Sequence, residues 1–308
     1  MRVVMELIRA ATFDSPARVE EPVRPLLRVG VVQHRWRSDP AELREVLFGG
    51  IARAAAEGAS VVFLPELTLS RYPAFEEPVG KPVDAAEDLV GGPTVAFAAE
   101  AARRYGILVH ASLYEKVDLG DGLGYNTAIL VDESGNVVAK TRKTHIPVTE
   151  GYVEDKYFRP GPADDAYPIH RVGDVAFGLP TCWDEWFPEV ARAYALAGAD
   201  ILAYPTAIGS EPDHPGFDTQ PLWQQVIVGH AIANGLFMIV PNRTGDEGGI
   251  SFYGSSFIAD PYGRILARAP RDDEAVLVAD LDLDQRKDWL TLFPFLRTRR
   301  PDTYGGLA

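Results

Sequence analysis

Short apolar runs alternate with amphipathic stretches along most of this 308-residue chain, and this alternation restricts the possible folds more than any other feature. Residues 27–33 and 60–64 are predicted strands, and residues 40–58 between them show a helical pattern with proline in the first turn and glycine at the end. The alternation predicts an α/β fold built in layers. The remaining predicted helices cover 94–105, 188–197 and 222–234, and the remaining strands 107–113, 174–178, 200–204 and 236–240.

Two further pairs of apolar runs are joined by short turns instead of helices. Residues 126–131 and 137–140 flank Asp-Glu-Ser-Gly-Asn, and residues 255–258 and 265–268 flank Ala-Asp-Pro-Tyr-Gly. Both pairs are predicted hairpins, because such polar, glycine-containing segments favour tight turns. The sheets are therefore expected to be mixed, with antiparallel pairs beside the parallel strands.

The chain contains no long linker rich in Gly, Ser or Pro, so residues 25–308 are predicted to form a single domain. Residues 1–24 are expected to be an N-terminal extension outside the core. Residues 293–308, which include three arginines, are expected to form a tail that packs on another subunit.

Composition excludes several classes of protein. The formal net charge of −14 opposes binding to nucleic acid; it suits a cationic small molecule, or it keeps the surface soluble. No run of about 18 uncharged apolar residues is present, so insertion into a membrane is not expected. With one cysteine the chain forms no internal disulfide, which favours a reducing compartment, the cytoplasm. The six histidines show no ligand spacing, so no metal site is predicted.

Cys182 is the first candidate for a catalytic nucleophile, because it lies between a predicted strand and an acidic, aromatic turn. A thiol must lose its proton to attack carbon, so it needs a base and a group that holds the resulting oxyanion. Glu66 and Lys143 each follow a predicted strand, and ligand sites in α/β sheets gather beyond the carboxyl ends of strands. Taken singly, Cys182 could be a buried apolar residue, Glu66 an acid at a helix N-terminus and Lys143 a surface amine.

Three segments together resemble the signature segments of the nitrilase superfamily of carbon–nitrogen hydrolases. They are Phe-Leu-Pro-Glu at 63–66, Arg-Lys-Thr-His-Ile-Pro at 142–147 and Cys-Trp-Asp at 182–184. Residues 204–212, 252–257 and 299–304 make the resemblance closest to the branch that hydrolyses N-carbamoyl amines such as N-carbamoylputrescine. The resemblance implies a four-layer αββα sandwich that forms a homodimer or a higher homo-oligomer, and no cofactor.

The resemblance also implies a role for each site residue. Cys182 is the nucleophile, Glu66 the general base and later acid, and Lys143 the cation beside the oxyanion. The second glutamate of the family falls on Glu154, with Glu150 as a nearby alternative. The implied reaction converts an N-carbamoyl amine to amine, CO₂ and ammonia.

Further residues are expected to hold the substrate. The backbone N–H of Trp183 is expected to share the oxyanion with Lys143. The carboxylates of Asp184 and Glu185 favour a substrate ammonium, although both could instead cap the following helix. Tyr125, His145 and Thr206 are further predicted pocket residues. Alternative activities are those of an aliphatic amidase, ω-amidase, β-ureidopropionase or nitrilase, and the alternative without catalysis is a binding or scaffold protein.

Overall fold

In the computed structural model, which describes residues 5–11, 13–117 and 119–307, helices flank two packed β-sheets. The helices are α1 Pro40–Ala56, α2 Pro93–Tyr105, α3 Pro188–Ala197, α4 Gln220–Asn234 and α5 Gln285–Leu292. The strands are β1 Glu6–Arg9, β2 Leu27–Gln33, β3 Val61–Phe63, β4 Leu108–Glu115, β5 Tyr125–Val131, β6 Val137–Arg142, β7 Val148–Thr149, β8 Tyr152–Val153, β9 His170–Val172, β10 Val175–Gly178, β11 Ile201–Ala203, β12 Phe237–Val240, β13 Thr244–Asp246, β14 Ser251–Tyr253, β15 Phe257–Ala259, β16 Ile265–Arg268 and β17 Ala275–Leu281.

Both large sheets are mixed. Within the described residues, one sheet has seven strands in the order β1-β17-β2-β3-β4-β5-β6, and the other has six in the order β16-β15-β12-β11-β10-β9. Strands β2, β3 and β4 run parallel, whereas β4, β5 and β6 are successively antiparallel, so β3 and β6 point the same way. In the second sheet, β10, β11 and β12 are parallel and β15–β16 is a hairpin.

Three apolar clusters fill the spaces between the layers. Helices α1 and α2 pack on the outer face of the seven-stranded sheet, and α3 and α4 pack on the outer face of the six-stranded sheet. The cluster between the sheets joins Phe63 and Val31 of the first sheet to Phe177 and Ile239 of the second. This arrangement confirms the predicted four-layer α/β sandwich with mixed sheets.

The N-terminal segment departs from the prediction. Placing residues 1–24 outside the core is wrong for β1, which pairs in parallel with β17 at the edge of the seven-stranded sheet. Arg24 further binds Asp200 and Asp284 through ion pairs of 3.0 and 2.9 Å. A four-residue edge strand with a charge at each end has too little apolar pattern to be recognised in the sequence.

The site loops begin where three strands end. Glu66 follows β3, Lys143 follows β6, and Cys182 follows β10 of the other sheet. Because β3 and β6 point the same way, their carboxyl ends lie at the same edge of the seven-stranded sheet. None of the helices in the described ranges is long and apolar enough to cross a membrane.

Candidate active site

Lys143 lies at the centre of a buried group of charges. Its Nζ donates to Oε1 of Glu66 at 2.9 Å and to Oε1 and Oε2 of Glu154 at 2.9 and 2.8 Å. Burial opposes the charge on Lys143, but the carboxylates of Glu154 and Glu66 outweigh it and hold the pKa well above its usual range. The lysine is therefore a permanent cation between two carboxyl groups.

The Glu66 carboxyl has one oxygen held and one oxygen free. Oε1 accepts hydrogen bonds from Nδ2 of Asn126 at 2.7 Å and from Lys143. Oε2 is buried and has no hydrogen-bond partner among the described residues. A buried acceptor without a partner is costly, and here it is available to take a proton from a reacting group.

Glu154 begins a 3₁₀ turn, Glu154–Lys156, and its carboxyl is fully buried. Tyr72 donates its hydroxyl to Oε1 at 2.9 Å. Burial raises the pKa of Glu154 to about 7, with Lys143 opposing the rise and Glu66 adding to it. The alternative residue, Glu150, is exposed to solvent and takes no part in this group of charges.

Cys182 occupies a strained position at the start of the 3₁₀ turn Cys182–Trp186. Its φ is +40°, in the left-handed region that residues other than glycine seldom adopt, and its N–H donates to the Pro205 carbonyl at 3.1 Å. Burial, followed by repulsion from Glu66, raises the pKa of the thiol well above its usual value, although Lys143 opposes this. The resting sulfur therefore carries its proton, and a base is needed to remove it.

A cavity of about 250 Å³ opens onto the sulfur. Cys182 and Glu154 line it together with the indole rings of Trp183 and Trp186, and Glu211 provides a second carboxyl group. The described residues that line it include no lysine or arginine. The remaining lining residues are Pro147, Thr149, Tyr152, Ile208, Thr219 and Leu222.

Comparison with known proteins decides the family. The model of the carbon-nitrogen hydrolase family matches residues 28–290. The chain belongs to this family. The resemblance in the sequence to nitrilase-superfamily hydrolases is thereby confirmed.

Relatives of this carbon–nitrogen hydrolase cover most of its length. It is 39% identical to an N-carbamoylputrescine amidase of Arabidopsis thaliana, over 82% of this chain and 86% of the relative. It is 37% identical to a citrullinase of Francisella tularensis, over 90% of this chain and 96% of the relative. A crystal structure of a carbon-nitrogen hydrolase from Helicobacter pylori G27 superposes with a TM-score of 0.82 at 32% identity, covering 92% of this chain and 98% of that one.

In this carbon–nitrogen hydrolase Asp184 serves the backbone instead of the cavity. Its Oδ1 accepts from the N–H of His145 at 2.9 Å and lies 2.7 Å from Nδ1 of the same residue, while Oδ2 accepts from the N–H of Thr181 at 3.0 Å. Asp184 thus holds the start of the 3₁₀ turn Cys182–Trp186, whereas helix α3 begins after Phe187 without a side-chain cap, so Asp184 does not cap the following helix. Asp184 does not line the cavity, and the expectation that it meets a substrate ammonium is not met.

Glu185 is fully buried and does not line the cavity. Its Oε1 accepts from Nε1 of Trp223 at 2.7 Å, and its Oε2 lies 3.4 Å from Oγ1 of Thr206. The Thr206 hydroxyl also donates to the Tyr204 carbonyl at 2.8 Å, so its proton is already in use. Burial raises the pKa of Glu185 well above its usual value, and Glu66 adds to the rise while Trp223 opposes it. Glu185 is therefore protonated in the folded protein.

We expect the Glu185→Gln variant to become more stable relative to wild type as the pH rises. Its turnover should stay within about twofold of wild type. The Glu185 carboxyl has a pKa of 4.5 in the unfolded chain and a pKa well above this value in the folded protein. Between these two pKa values the folded state binds more protons than the unfolded state. Wild-type stability is therefore lost as the pH rises through this range. Glutamine has the same shape and does not titrate. Chemical unfolding at pH 5 and pH 8 measures the difference in free energy of unfolding between the variant and wild type, with Glu189→Gln at an exposed position as control. A difference that is the same at both pH values contradicts a protonated Glu185.

Two other predicted pocket residues also lie outside the cavity lining. The Tyr125 ring is covered by the guanidinium groups of Arg142 and Arg159, at 4.0 and 4.9 Å from its centroid. The His145 ring stacks on Phe187 with 3.7 Å between centroids. Both side chains are therefore engaged in packing.

Tyr72 and Glu211 take part in the site and were not singled out in the sequence, whereas Asn126 belongs to the predicted pocket segment 125–127. Tyr72 and Asn126 donate to the two glutamates, and Glu211 faces the cavity. Asn126 is the first residue of the predicted strand 126–131, which is the signal that it lies at a strand end. Tyr72 and Glu211 lie in irregular loops, where no periodic pattern indicates the direction of a side chain. Within the described residues no group of His, Cys, Asp or Glu side chains is arranged to hold a metal ion.

Proposed function

We propose that this enzyme hydrolyses the carbamoyl group of a small N-carbamoyl amine, giving the amine, CO₂ and ammonia. The observation that carries the proposal is the charge of the cavity: besides the Glu154 carboxyl beside Cys182, it presents the carboxyl of Glu211 and, among its described lining residues, no cation. Glu211 is held by the hydroxyl of Thr219 at 3.1 Å. A substrate with an ammonium at the end opposite the carbamoyl group matches this distribution.

The first half of the reaction releases the amine. Oε2 of Glu66 takes the thiol proton, and the sulfur attacks the carbamoyl carbon, breaking the π bond of the carbonyl. Lys143 and the N–H of Trp183 stabilise the oxyanion, since Trp183 lies in the first turn of Cys182–Trp186, where backbone N–H groups have no partner within the turn. As the carbonyl reforms, the bond from carbon to the amine nitrogen breaks, and Glu66 gives that nitrogen the proton. A carbamoyl thioester of Cys182 remains.

The second half returns the enzyme to its starting state. Glu66 removes a proton from water, the hydroxide attacks the thioester carbon, and the carbon–sulfur bond breaks. Glu66 then returns the proton to the sulfur, and the released carbamic acid decomposes to CO₂ and ammonia. Glu154 fixes Lys143 throughout, because both of its oxygens accept from Nζ.

Citrulline hydrolysis is the second candidate, because a citrullinase is similar to this chain over 90% of its length. Citrulline carries a carboxylate beside its ammonium, and this carboxylate needs a cation. Arg271 lies in a neighbouring cavity that shares Thr219, but Asp218 holds its guanidinium with two bonds of 2.9 and 3.0 Å. Because Asp218 already binds the Arg271 guanidinium, the site favours an N-carbamoyl amine over an amino acid such as citrulline as substrate.

We expect Glu211→Gln to lower kcat/KM for N-carbamoylputrescine by about 10- to 100-fold, the range for losing a hydrogen bond to a charged group. N-pentylurea has the same length and no ammonium, so its kcat/KM should change by less than about twofold. Ammonia release from both compounds, and from citrulline, gives the measurement. Equal losses on both compounds would place Glu211 outside ammonium recognition, and faster turnover of citrulline by the wild type would favour the second candidate.

We also infer that the enzyme is cytoplasmic and forms a homodimer or a higher homo-oligomer. The sole cysteine must stay reduced to react, which suits a reducing compartment. Leu292 and Phe293 are 57% and 54% exposed at the start of the C-terminal tail, and Tyr304 is 37% exposed near its end. An apolar surface of this kind fits a second copy of the chain.

A further inference from the structure

A buried ion pair lies beside the active site and outside the cavity. Arg243 is completely buried, and its Nη1 donates to Oε1 of Glu247 at 2.6 Å. The two side chains are 0% and 2% exposed. They flank the short strand β13, which comes next after β12 of the six-stranded sheet. A buried charge pair is weak evidence for stability, so its other contacts indicate what it does.

The second nitrogen of the Arg243 guanidinium holds the turn that carries the general base. Nη2 donates to the carbonyls of Glu66 at 2.6 Å, Leu67 at 3.0 Å and Ser70 at 3.2 Å. Leu67, directly after the base, has a φ of +47°, which a leucine adopts only where its surroundings impose it. Arg243 binds three carbonyls of this turn and so holds it from one side, while Ser112 accepts from the N–H of Leu67 at 3.1 Å.

The partner carboxylate reaches the other glutamate. Oε2 of Glu247 accepts from the N–H of Tyr72 at 2.9 Å, and the Tyr72 hydroxyl donates to Oε1 of Glu154 at 2.9 Å. One ion pair is thus connected to Glu66 through the backbone and to Glu154 through a tyrosine. Lys143 bridges the same two carboxyl groups from the other side.

We propose that Arg243 is a positioning residue that, with Glu247, fixes the two glutamates relative to Lys143 and to the sulfur. The inference rests on the proposed function, because it takes Glu66 and Glu154 as acting groups. The planar fork of arginine suits this task, since one nitrogen meets the carboxylate while the other meets the carbonyls. A lysine has a single nitrogen and does not span both.

Arg243→Lys tests this role while keeping the positive charge for Glu247. We expect kcat to fall at least 30-fold with KM within threefold, and the pH profile of kcat to move, because the glutamates no longer hold their positions. Exposed Arg28→Lys, in a surface pair with Asp280, is the matched control and should retain wild-type kinetics. The proposal is overturned if the Arg243→Lys protein folds, its kcat lies within twofold of wild type and the pH dependence of kcat does not shift.

Alkylation of the thiol gives a measurement that needs no substrate. The chain has one cysteine, so iodoacetamide labelling counted by mass spectrometry reports on Cys182 alone. Burial and then the Glu66 carboxylate raise the pKa of this thiol, so release of Glu66 should lower the pH midpoint of labelling in Arg243→Lys by half a unit or more. If the wild type hydrolyses no carbamoyl amine and the midpoint still moves, the proposed function fails and the positioning role stands.

Two isosteric variants decide the question where Arg243→Lys does not fold. Glu247→Gln keeps an acceptor but removes the charge, and Tyr72→Phe removes only the hydroxyl that reaches Glu154. We expect kcat to fall at least fivefold in each, and the loss in the double variant to be smaller than the product of the single losses, because both act along one connection. Wild-type kcat in both variants, or fully multiplicative losses, overturns the proposal.

Discussion

Replacing Cys182 by alanine is expected to abolish ammonia release while the protein remains folded. The sulfur is the only group in the cavity placed to form the thioester, and loss of a covalent nucleophile lowers kcat on the order of 10⁶-fold. Alanine removes one buried atom and leaves the backbone with the same strained φ, so the cost in stability should be about 1 kcal/mol. Ammonia assays and thermal unfolding of the two proteins measure both effects.

The same experiment has a built-in chemical control. Iodoacetamide should label the wild type at one site and the alanine variant at none, since the sequence contains a single cysteine. N-carbamoylputrescine should slow the labelling, because it occupies the cavity above the sulfur. Turnover by a folded Cys182→Ala protein, or labelling that is indifferent to the substrate, would remove the thiol from the mechanism.

Lys143→Met should have the second largest effect, on both turnover and stability. The variant leaves Glu66 and Glu154 buried without their cation, which typically costs about 3–5 kcal/mol. It also removes the charge beside the oxyanion, so kcat should fall by about 10²–10³-fold, the scale for losing one such group. Activity assays and urea unfolding give the two numbers.

The stability loss should depend on pH with a defined sign. Burial already raises the pKa of Glu154 to about 7 in the presence of Lys143, against 4.5 for a free carboxyl. Without the lysine, which opposes the rise, the folded Glu154 carboxyl binds its proton more strongly than the unfolded one, so stability falls as the pH rises from 4.5 upwards. We expect a larger loss at pH 8 than at pH 5. Lys156→Met, at an exposed position, is the control. An equal loss of stability at pH 5 and pH 8 would show that the charge of Lys143 does not hold the two glutamates.

The sequence predicted the main architecture because apolar periodicity decides it. The strands β2 and β3, the helix α2 and the hairpin β5–β6 were all expected close to their observed bounds. Strand β1 was not, because its place at a sheet edge depends on pairing with residues about 270 positions away. Distant pairing leaves no local pattern in four residues.

Side-chain directions were harder to predict than positions. The rule that sites gather at strand ends brought Glu66, Lys143 and Cys182 to one region, and the structure places them there. It could not show that Asp184 turns to the backbone or that Glu185 does not line the cavity, since adjacent residues in a 3₁₀ turn point in different directions. The left-handed φ of Cys182 at the start of this turn leaves no signal in the composition either.

The reacting groups are divided between the two sheets. Glu66 and Lys143 extend from the seven-stranded sheet, whereas Cys182 extends from the six-stranded one. The gap between base and nucleophile is thus set by the thickness of the apolar layer in which Phe63 meets Phe177. Neither sheet by itself carries both the base and the nucleophile. The site therefore forms only when the two sheets have packed against each other.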